Sequence, residues 1–380
     1  MTVVPCHSPA EVAETIRLAR DTGQHLVPRG GGHCFAGRST SDGIILDTTP
    51  LRSISLDGDV ATIGAGALLG DIYDALGDRT IPAGCGSTVG IAGLTLGGGL
   101  GILGRQHGLT CDSLLAAQVV LADGQIVDCA EGDDLFWALR GAGGGQFGVV
   151  TSFTFRTVAA PVLTAFHLRW PKSEVATVIE AWMAAAPDAS DALAASLLVT
   201  SEVNLFGATQ GPRSEVDSLI GVPPESATYA TLSFRDTKRF LETIGGMEDD
   251  SISKSEFFTD PLPGDAVAAL VDHLSSGPGR ELDFMPMGGA YNRVPVHATA
   301  FAHRDTRFLL KHASSDRDWL DRSWRIVRPW GTGGVYPNFP DPHLTDWATA
   351  YHGDNLDRLR AVKARYDPQG FFRFHQSIEE

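Results

Sequence analysis

The apolar positions of this chain fall into short clusters separated by glycine-rich or polar stretches. Ser8-Pro9-Ala10-Glu11 opens a helix: Ser8 is a natural N-cap, Pro9 suits the first turn, and Glu11 stands where a capping box places its return partner. Val12, Ile16 and Ala19 recur at helical spacing and Gly23 marks the end. Leu26-Val27, Ile44-Ile45-Leu46 and Val60-Ala61-Thr62-Ile63 read as short buried strands, with a helix over 68–76. Leu114 to Ala122 and Gln125 to Cys129 flank Asp123-Gly124, which predicts a hairpin. Asp133 to Arg140 reads as a short helix ending at Gly141, and Val149 to Phe155 as a strand.

Beyond about residue 157 the pattern changes. Glycines thin out, helical periodicity covers Glu174 to Met183 and Asp265 to Leu274, and Ala195 to Val199 and Thr306 to Leu310 stand out as strands. Gly207 to Pro224 reads as a loop. A sheet lined on one side by helices would make a second lobe over 158–333, facing a first lobe over 1–157. The pattern is α+β, not the long βαβ repeat of a dinucleotide fold. After Tyr351-His352-Gly353-Asp354-Asn355 comes a helix to about Arg365. The end, Tyr366 to Ile378, is too aromatic for a loose tail and predicts a docked segment.

Length and charge narrow the partners. A chain of 380 residues can bury the cores of two lobes. Its net charge of −16 argues against nucleic acid, because phosphate neutralisation needs a basic face. No apolar run reaches the ~18 residues of a membrane span. The opening Met1-Thr2-Val3-Val4-Pro5-Cys6-His7 lacks the basic start and apolar core of a signal peptide. Five cysteines without paired spacing fit reduced thiols, so a cytoplasmic location is expected, and no metal-ligand cluster is evident.

Three glycine clusters carry the candidate chemistry. Arg29-Gly30-Gly31-Gly32-His33 can turn its N–H groups inward as an anion-binding concavity, with an imidazole directly after it. Pro82 to Gly101 mixes glycine with apolar and β-branched residues, as a backbone packed against a flat ligand would. Gly141 to Gly148 precedes the strand at Val149. Neither Gly30-Gly31-Gly32 nor Gly97 to Gly101 has the G-x-G-x-x-G spacing between strand and helix that a Rossmann site needs.

With Gly108 to Asp112, Asp134 to Gly141, Phe147 to Thr151 and Tyr366 to Ile378, these clusters resemble, in order, the signatures of the berberine-bridge-enzyme-like FAD-linked oxidoreductases, of the vanillyl-alcohol-oxidase fold group. The resemblance is close at both ends and weak in the middle. It implies a two-lobe PCMH-type FAD-binding fold, an antiparallel sheet backed by helices in the substrate lobe, and a C-terminal segment, 334–380, that returns to the FAD lobe. His33 matches the histidine that family members bond to the flavin 8α-methyl. By the same resemblance Arg29, Gly30, Gly31 and Gly32 would hold the pyrophosphate. Ser87, Thr88, Val89, Gly90, Ala92 and Gly93 would run along the flavin and ribityl chain, with Val150 at the adenine end. Tyr351, Asn355 and Gln376 would close the site from the C-terminal side.

Departures from the family pattern matter as well. Gly86 stands where doubly linked members have cysteine, with Cys85 one place earlier, and Leu94 stands where they tend to have histidine. Both favour a single histidyl link. Related chains usually carry some tens of residues before the Ser8 helix. In Tyr336-Pro337-Asn338-Phe339 the family's second tyrosine, a proton acceptor in some members, is phenylalanine. The base is therefore open among Tyr336, His312 and Tyr291, each of which could equally be a packing residue. The expected reaction is removal of a hydride from an alcohol, an amine or a secondary metabolite, with a base taking the proton. Val89 matches the position that controls oxygen access, which points to an oxidase using dioxygen. A dehydrogenase with another acceptor and a catalytically silent flavin-binding protein are the alternatives.

Overall fold

The structure is a computed structural model and describes residues 1–245, 252–274 and 279–379. The first strand, β1 (Thr2–Pro5), is one that the sequence pattern does not announce. It lies parallel to β3 (Ile44–Asp47), with β2 (Leu26–Arg29) on the other side of β3. The helix Pro9–Thr22 joins β1 to β2. Its start follows the capping rules with one variation. Ser8 accepts from the Glu11 N–H at 3.2 Å, while the Glu11 carboxylate accepts from the N–H of His7 at 2.9 Å, one residue before the cap. Gly23 ends the helix in the left-handed region, φ 65°.

An antiparallel sheet of five strands completes the first lobe: β4 (Ile54–Asp57), β5 (Val60–Gly64), β7 (Leu114–Val120), β8 (Ile126–Ala130) and β9 (Val149–Arg156), after the short β6 (Arg79–Thr80). Their spatial order is β4-β5-β9-β7-β8, and β7 and β8 form the expected hairpin around Asp123-Gly124. A two-residue strand, β10 (Val158–Ala159), pairs with β6.

The second lobe is one antiparallel sheet of seven strands: β11 (Leu163–Trp170), β12 (Leu193–Val199), β13 (Val203–Thr209), β14 (Ser226–Leu232), β15 (Ile252–Phe258), β16 (Arg280–Pro286) and β17 (Phe308–Ser314). The order is β14-β11-β13-β12-β16-β17-β15. The stretch read as a loop from Gly207 instead starts inside β13, and Arg213–Asp217 within it forms a turn of helix. Helices Val175–Ala185, Gly264–Leu274 and Arg317–Val327 bury one face of the sheet. Because side chains alternate along a strand, Leu282, Phe284, Phe308 and Leu310 join that helix-covered core, while Met285 and Leu309 lie on the opposite face. That opposite face turns toward the first lobe.

Two elements tie later parts of the chain to the first lobe. From the helix Phe234–Glu242, Lys238 donates to the carbonyls of Ala83 and Gly84, and Glu242 accepts from both the N–H and the hydroxyl of Ser87. From the C-terminal helix Leu356–Tyr366, buried Lys363 donates to Gln146 O, Phe372 O and the Asp367 carboxylate at 2.6–2.7 Å. Asp367 in turn accepts from the N–H groups of Phe371 and Phe372. The aromatic end is thereby docked, with Phe372 in the core beside Val12 and Ile16.

Candidate active site

A cavity of about 410 Å³ runs between the lobes. Gly30, Gly31, Gly32, His33, Val89, Gly90, Ala92, Gly93 and Val150, all expected at a cofactor, line it together. The two glycine loops meet backbone to backbone: a Cβ on Gly31 would run into Gly90, and one on Gly90 into Gly31. By contrast, a Cβ on Gly32 or Gly93 would meet nothing within 4 Å. Gly32 has φ 77°, a conformation that favours glycine. Among the described residues, the N–H groups of Gly30, Gly31 and Gly32 find no backbone acceptor. Unsatisfied N–H groups beside a glycine-walled cavity are the chemistry of a phosphate cradle. The imidazole of His33 stands at the rim with Nε2 3.0 Å from the Thr88 hydroxyl.

The other expected cofactor residues sit behind this wall. Arg29 ends β2 and gives its carbonyl to both the N–H and the hydroxyl of Thr48. Ser87 is turned away, both its donors being taken by Glu242. Gln376, the one non-glycine residue with positive φ (73°) among the described residues, reaches the cavity only through Arg38, whose guanidinium donates to it at 2.7 Å. Tyr351 accepts from the N–H of Asp341. Asn355 binds the carbonyls of Val296 and Thr299 and pairs with His297 at 2.8 Å, so it locks a loop and does not face the cavity. The second glycine cluster is also divided. Gly90 and Gly93 face the cavity, but Gly97, Gly99 and Gly101 make room for Asn338, Thr110 and Ala83, which corrects the expectation of a ligand along the whole run.

The three candidate bases separate clearly. Tyr336 lines the cavity, and its hydroxyl oxygen receives the N–H groups of Gly99 (3.0 Å) and Leu100 (3.2 Å) and the Asn338 amide (3.1 Å). Burial pushes its phenol up to about 12 in spite of those donors. Tyr291 is buried among Leu109, Phe301 and Leu309, donates to Gly101 O at 2.9 Å, and is displaced upward by burial. His312, expected on a cofactor-facing segment, is elsewhere. Its parity on β17 turns it to the helix side, where Nδ1 pairs with the Ser323 hydroxyl at 2.8 Å and burial drops it to about 3. Lys311, one residue earlier, has the parity that faces the first lobe, its ammonium 5.5 Å from the ring of Phe339.

Several cavity residues escaped the sequence reading: Cys34, Phe35, Arg38, Gly143 to Gly145 and Met285. Gly143 and Gly145 have φ 92° and 74°, so the third glycine cluster carried the signal, although no role followed from it.

A family profile described as "FAD binding domain" matches residues 2–130, and one described as "Berberine and berberine like" matches 335–379. The uncharacterized FAD-linked oxidoreductase YgaK of Bacillus subtilis (strain 168) is 33% identical over 99% of this chain and 90% of its own. The chain belongs to the berberine-bridge-enzyme-like FAD-linked oxidoreductases. Berberine bridge enzyme-like 28 of Arabidopsis thaliana is 30% identical over 97% of this chain and 82% of its own. Among solved structures, Physcomitrella patens BBE-like 1 superposes with a TM-score of 0.91 at 28% identity, covering 99% of this chain and 90% of the other. Berberine bridge enzyme from Eschscholzia californica gives 0.90 at 25% identity, covering 99% and 89%. This membership makes the chain an FAD-binding oxidoreductase with the PCMH-type fold. The cradle of Gly30 to Gly32, the open space beside Gly93 and the apolar wall of Val89 and Val150 fit that cofactor. Among the described residues no group of side chains could hold a metal ion, and no helix is long and apolar enough to cross a membrane.

Proposed function

We propose that this chain is an FAD-dependent oxidase of a small organic alcohol, amine or secondary metabolite, with FAD bonded through His33 alone and dioxygen as the electron acceptor. The observation that carries the reading is the single cavity that joins the Gly30-to-His33 cradle to Tyr336 and Asn338. Bound FAD would supply a hydride acceptor there. The glycine N–H groups would take the pyrophosphate, and His33 is the nucleophilic side chain at the rim. Cys85 does not line the cavity; its sulfur lies 3.9 Å from the Lys238 ammonium, which supports a single histidyl link.

Tyr336 handles the substrate proton in this reading. To take that proton it must act as the phenolate, the form that the three N–H donors converging on its oxygen favour and that burial opposes. Asn338, which also donates to Leu94 O at 2.9 Å, holds one of those donors in place. Phe35 and Phe339 pack edge to face at 5.7 Å and wall the same part of the cavity, limiting water there. Val89 lines the cavity as the point of entry for dioxygen.

Five free cysteines support placing the protein in the cytoplasm. We take 1–157, 158–333 and 334–380 as its cofactor, substrate and returning segments. Anaerobic reduction of the bound flavin by substrate, followed by admission of air, tests the reading. Rapid return of the yellow colour with peroxide release is expected of the oxidase. Slow return in air, with fast return on adding an artificial acceptor, would make it a dehydrogenase.

A further inference from the structure

The wall of the cavity is charged differently from the rest of the molecule. The chain carries 46 acidic residues and a net charge of −16, yet among the described residues no Asp or Glu lines the cavity, whereas Arg38 and Arg373 both do. A wall that carries cations and no carboxylate suits an anion.

Arg38 is the more firmly held of the two. It follows the turn Cys34 to Gly37, which is closed by the Gly37 N–H on Cys34 O at 3.0 Å and has φ 67° at Gly37. Its guanidinium lies 4.5 Å from the centroid of the Phe374 ring and 5.9 Å from that of Tyr351. Nη2 donates to Gln376 Oε1 at 2.7 Å, and the Gln376 amide is fixed in turn by donating to Asp341 O at 2.9 Å and Leu344 O at 3.0 Å. This half-buried cation has no carboxylate beside it among the described residues, and burial pulls its pKa down. A charge held by neutral groups, partly out of water and without a counter-ion, costs free energy that an arriving anion recovers.

Phe374 relates this cation to the glycine loops. The ring lines the cavity, and a Cβ on Gly145 would stand 3.6 Å from it. Among the described residues the N–H groups of Gly144 and Gly145 find no backbone acceptor, like those of Gly30 to Gly32. Two glycine loops therefore offer N–H donors to one cavity, and Arg38 stands beside the second of them across the Phe374 ring. Two sets of donors and two arginines suit a pair of linked phosphates better than a single carboxylate.

We infer that Arg38, with Arg373 at the exposed edge of the same wall, clamps the diphosphate of the cofactor from the C-terminal side, so that the cavity selects a dinucleotide over an uncharged flavin. The inference rests on the FAD binding of the family and not on the oxidase reading. Gln376 and Phe374 act through Arg38 as positioning residues, one orienting the guanidinium fork and the other stacking on it.

The test uses the full-length His33→Ala protein freed of flavin, so that binding is reversible. It is titrated with FAD and with riboflavin, which has the same ring system and no phosphate, and flavin fluorescence reads both. Adding Arg38→Met should weaken FAD binding at least about ten-fold, the scale of a hydrogen bond to a charged group, with riboflavin affinity within about two-fold. Arg38→Lys should recover part of the FAD affinity, as a point charge without the fork. Added salt should weaken FAD binding more in His33→Ala than in the Arg38→Met variant of it. Arg373→Met, at an exposed position, should weaken FAD about three-fold with riboflavin unchanged. Equal losses of FAD and riboflavin would overturn the inference. So would an unchanged FAD affinity in Arg38→Met or, where that variant does not fold, in Arg373→Met. Weaker binding of hexanoate with FAD affinity unchanged would also overturn it, and would give the arginine to a substrate carboxylate. Failure of His33→Ala to bind either flavin would remove the cofactor reading, and the inference with it.

Discussion

Lys363→Met probes the return of the C-terminal segment. The Lys363 side chain is 3% exposed and that of Asp367 is fully buried, and three hydrogen bonds leave the ammonium. Methionine fills most of the volume but strands the Asp367 carboxylate and frees two carbonyls, Gln146 O and Phe372 O. Removing one partner of a buried pair costs about 3–5 kcal/mol. The N–H groups of Phe371 and Phe372 remain on the carboxylate, which favours the middle of that range. At about 2.1 cal/mol/K per residue, unfolding this chain changes entropy by roughly 0.8 kcal/mol/K, so about 4 kcal/mol lowers Tm by about 5 °C. Differential scanning calorimetry reads the shift. The double variant Lys363→Met/Asp367→Asn should melt above Lys363→Met alone, because the stranded charge is gone. A single variant melting within about 1 °C of the parent, or a double variant showing the sum of both losses, would refute the reasoning.

Tyr336→Phe should slow anaerobic flavin reduction by about 10² to 10⁴ with flavin content unchanged, and His312→Asn should leave that rate alone; stopped-flow absorbance checks both. The same His312 variant has a stability signature. Burial drops His303 to about 4 and His312 and His352 to about 3, so they stay neutral in the fold but take protons on unfolding below about 6.5, and stability falls as pH falls through that window. Burial raises Glu256 to about 7 and Asp283 to about 6, which opposes this between about 4.5 and 6. The balance is a net uptake of about one proton, or about 1.4 kcal/mol per pH unit. Urea titrations at several pH values should show that slope in the parent and nearly none in His312→Asn. Cys85→Ala should leave the flavin linkage unchanged when the denatured protein is passed over a desalting column.

The first lobe was largely legible because its signals are local. The Ser8 cap, Gly23 and Asp123-Gly124 act within a few residues, and the order of the glycine clusters names the family. The sheet of the second lobe was harder. In β15, Ser253, Lys254, Ser255 and Glu256 are all buried, the last three paired by the distant Asp341, Tyr336 and Arg328, so hydrophobic alternation is lost. The site followed the same division. His33 and Val89 could be placed from their neighbours, whereas His312 was misplaced because one residue of strand register sends a side chain to the other face. Arg38 depends on Gln376, a partner that only the fold brings near.

The central claim is that the Gly30-to-His33 loop holds FAD and bonds it through the imidazole. The direct measurement is the intact mass and visible spectrum of acid-denatured protein, for the parent and for His33→Ala. The parent should carry the mass of one FAD and stay yellow after precipitation, while His33→Ala should show the bare chain and leave its flavin in the supernatant. Flavin still attached to denatured His33→Ala, or a parent chain with no flavin mass, would contradict it.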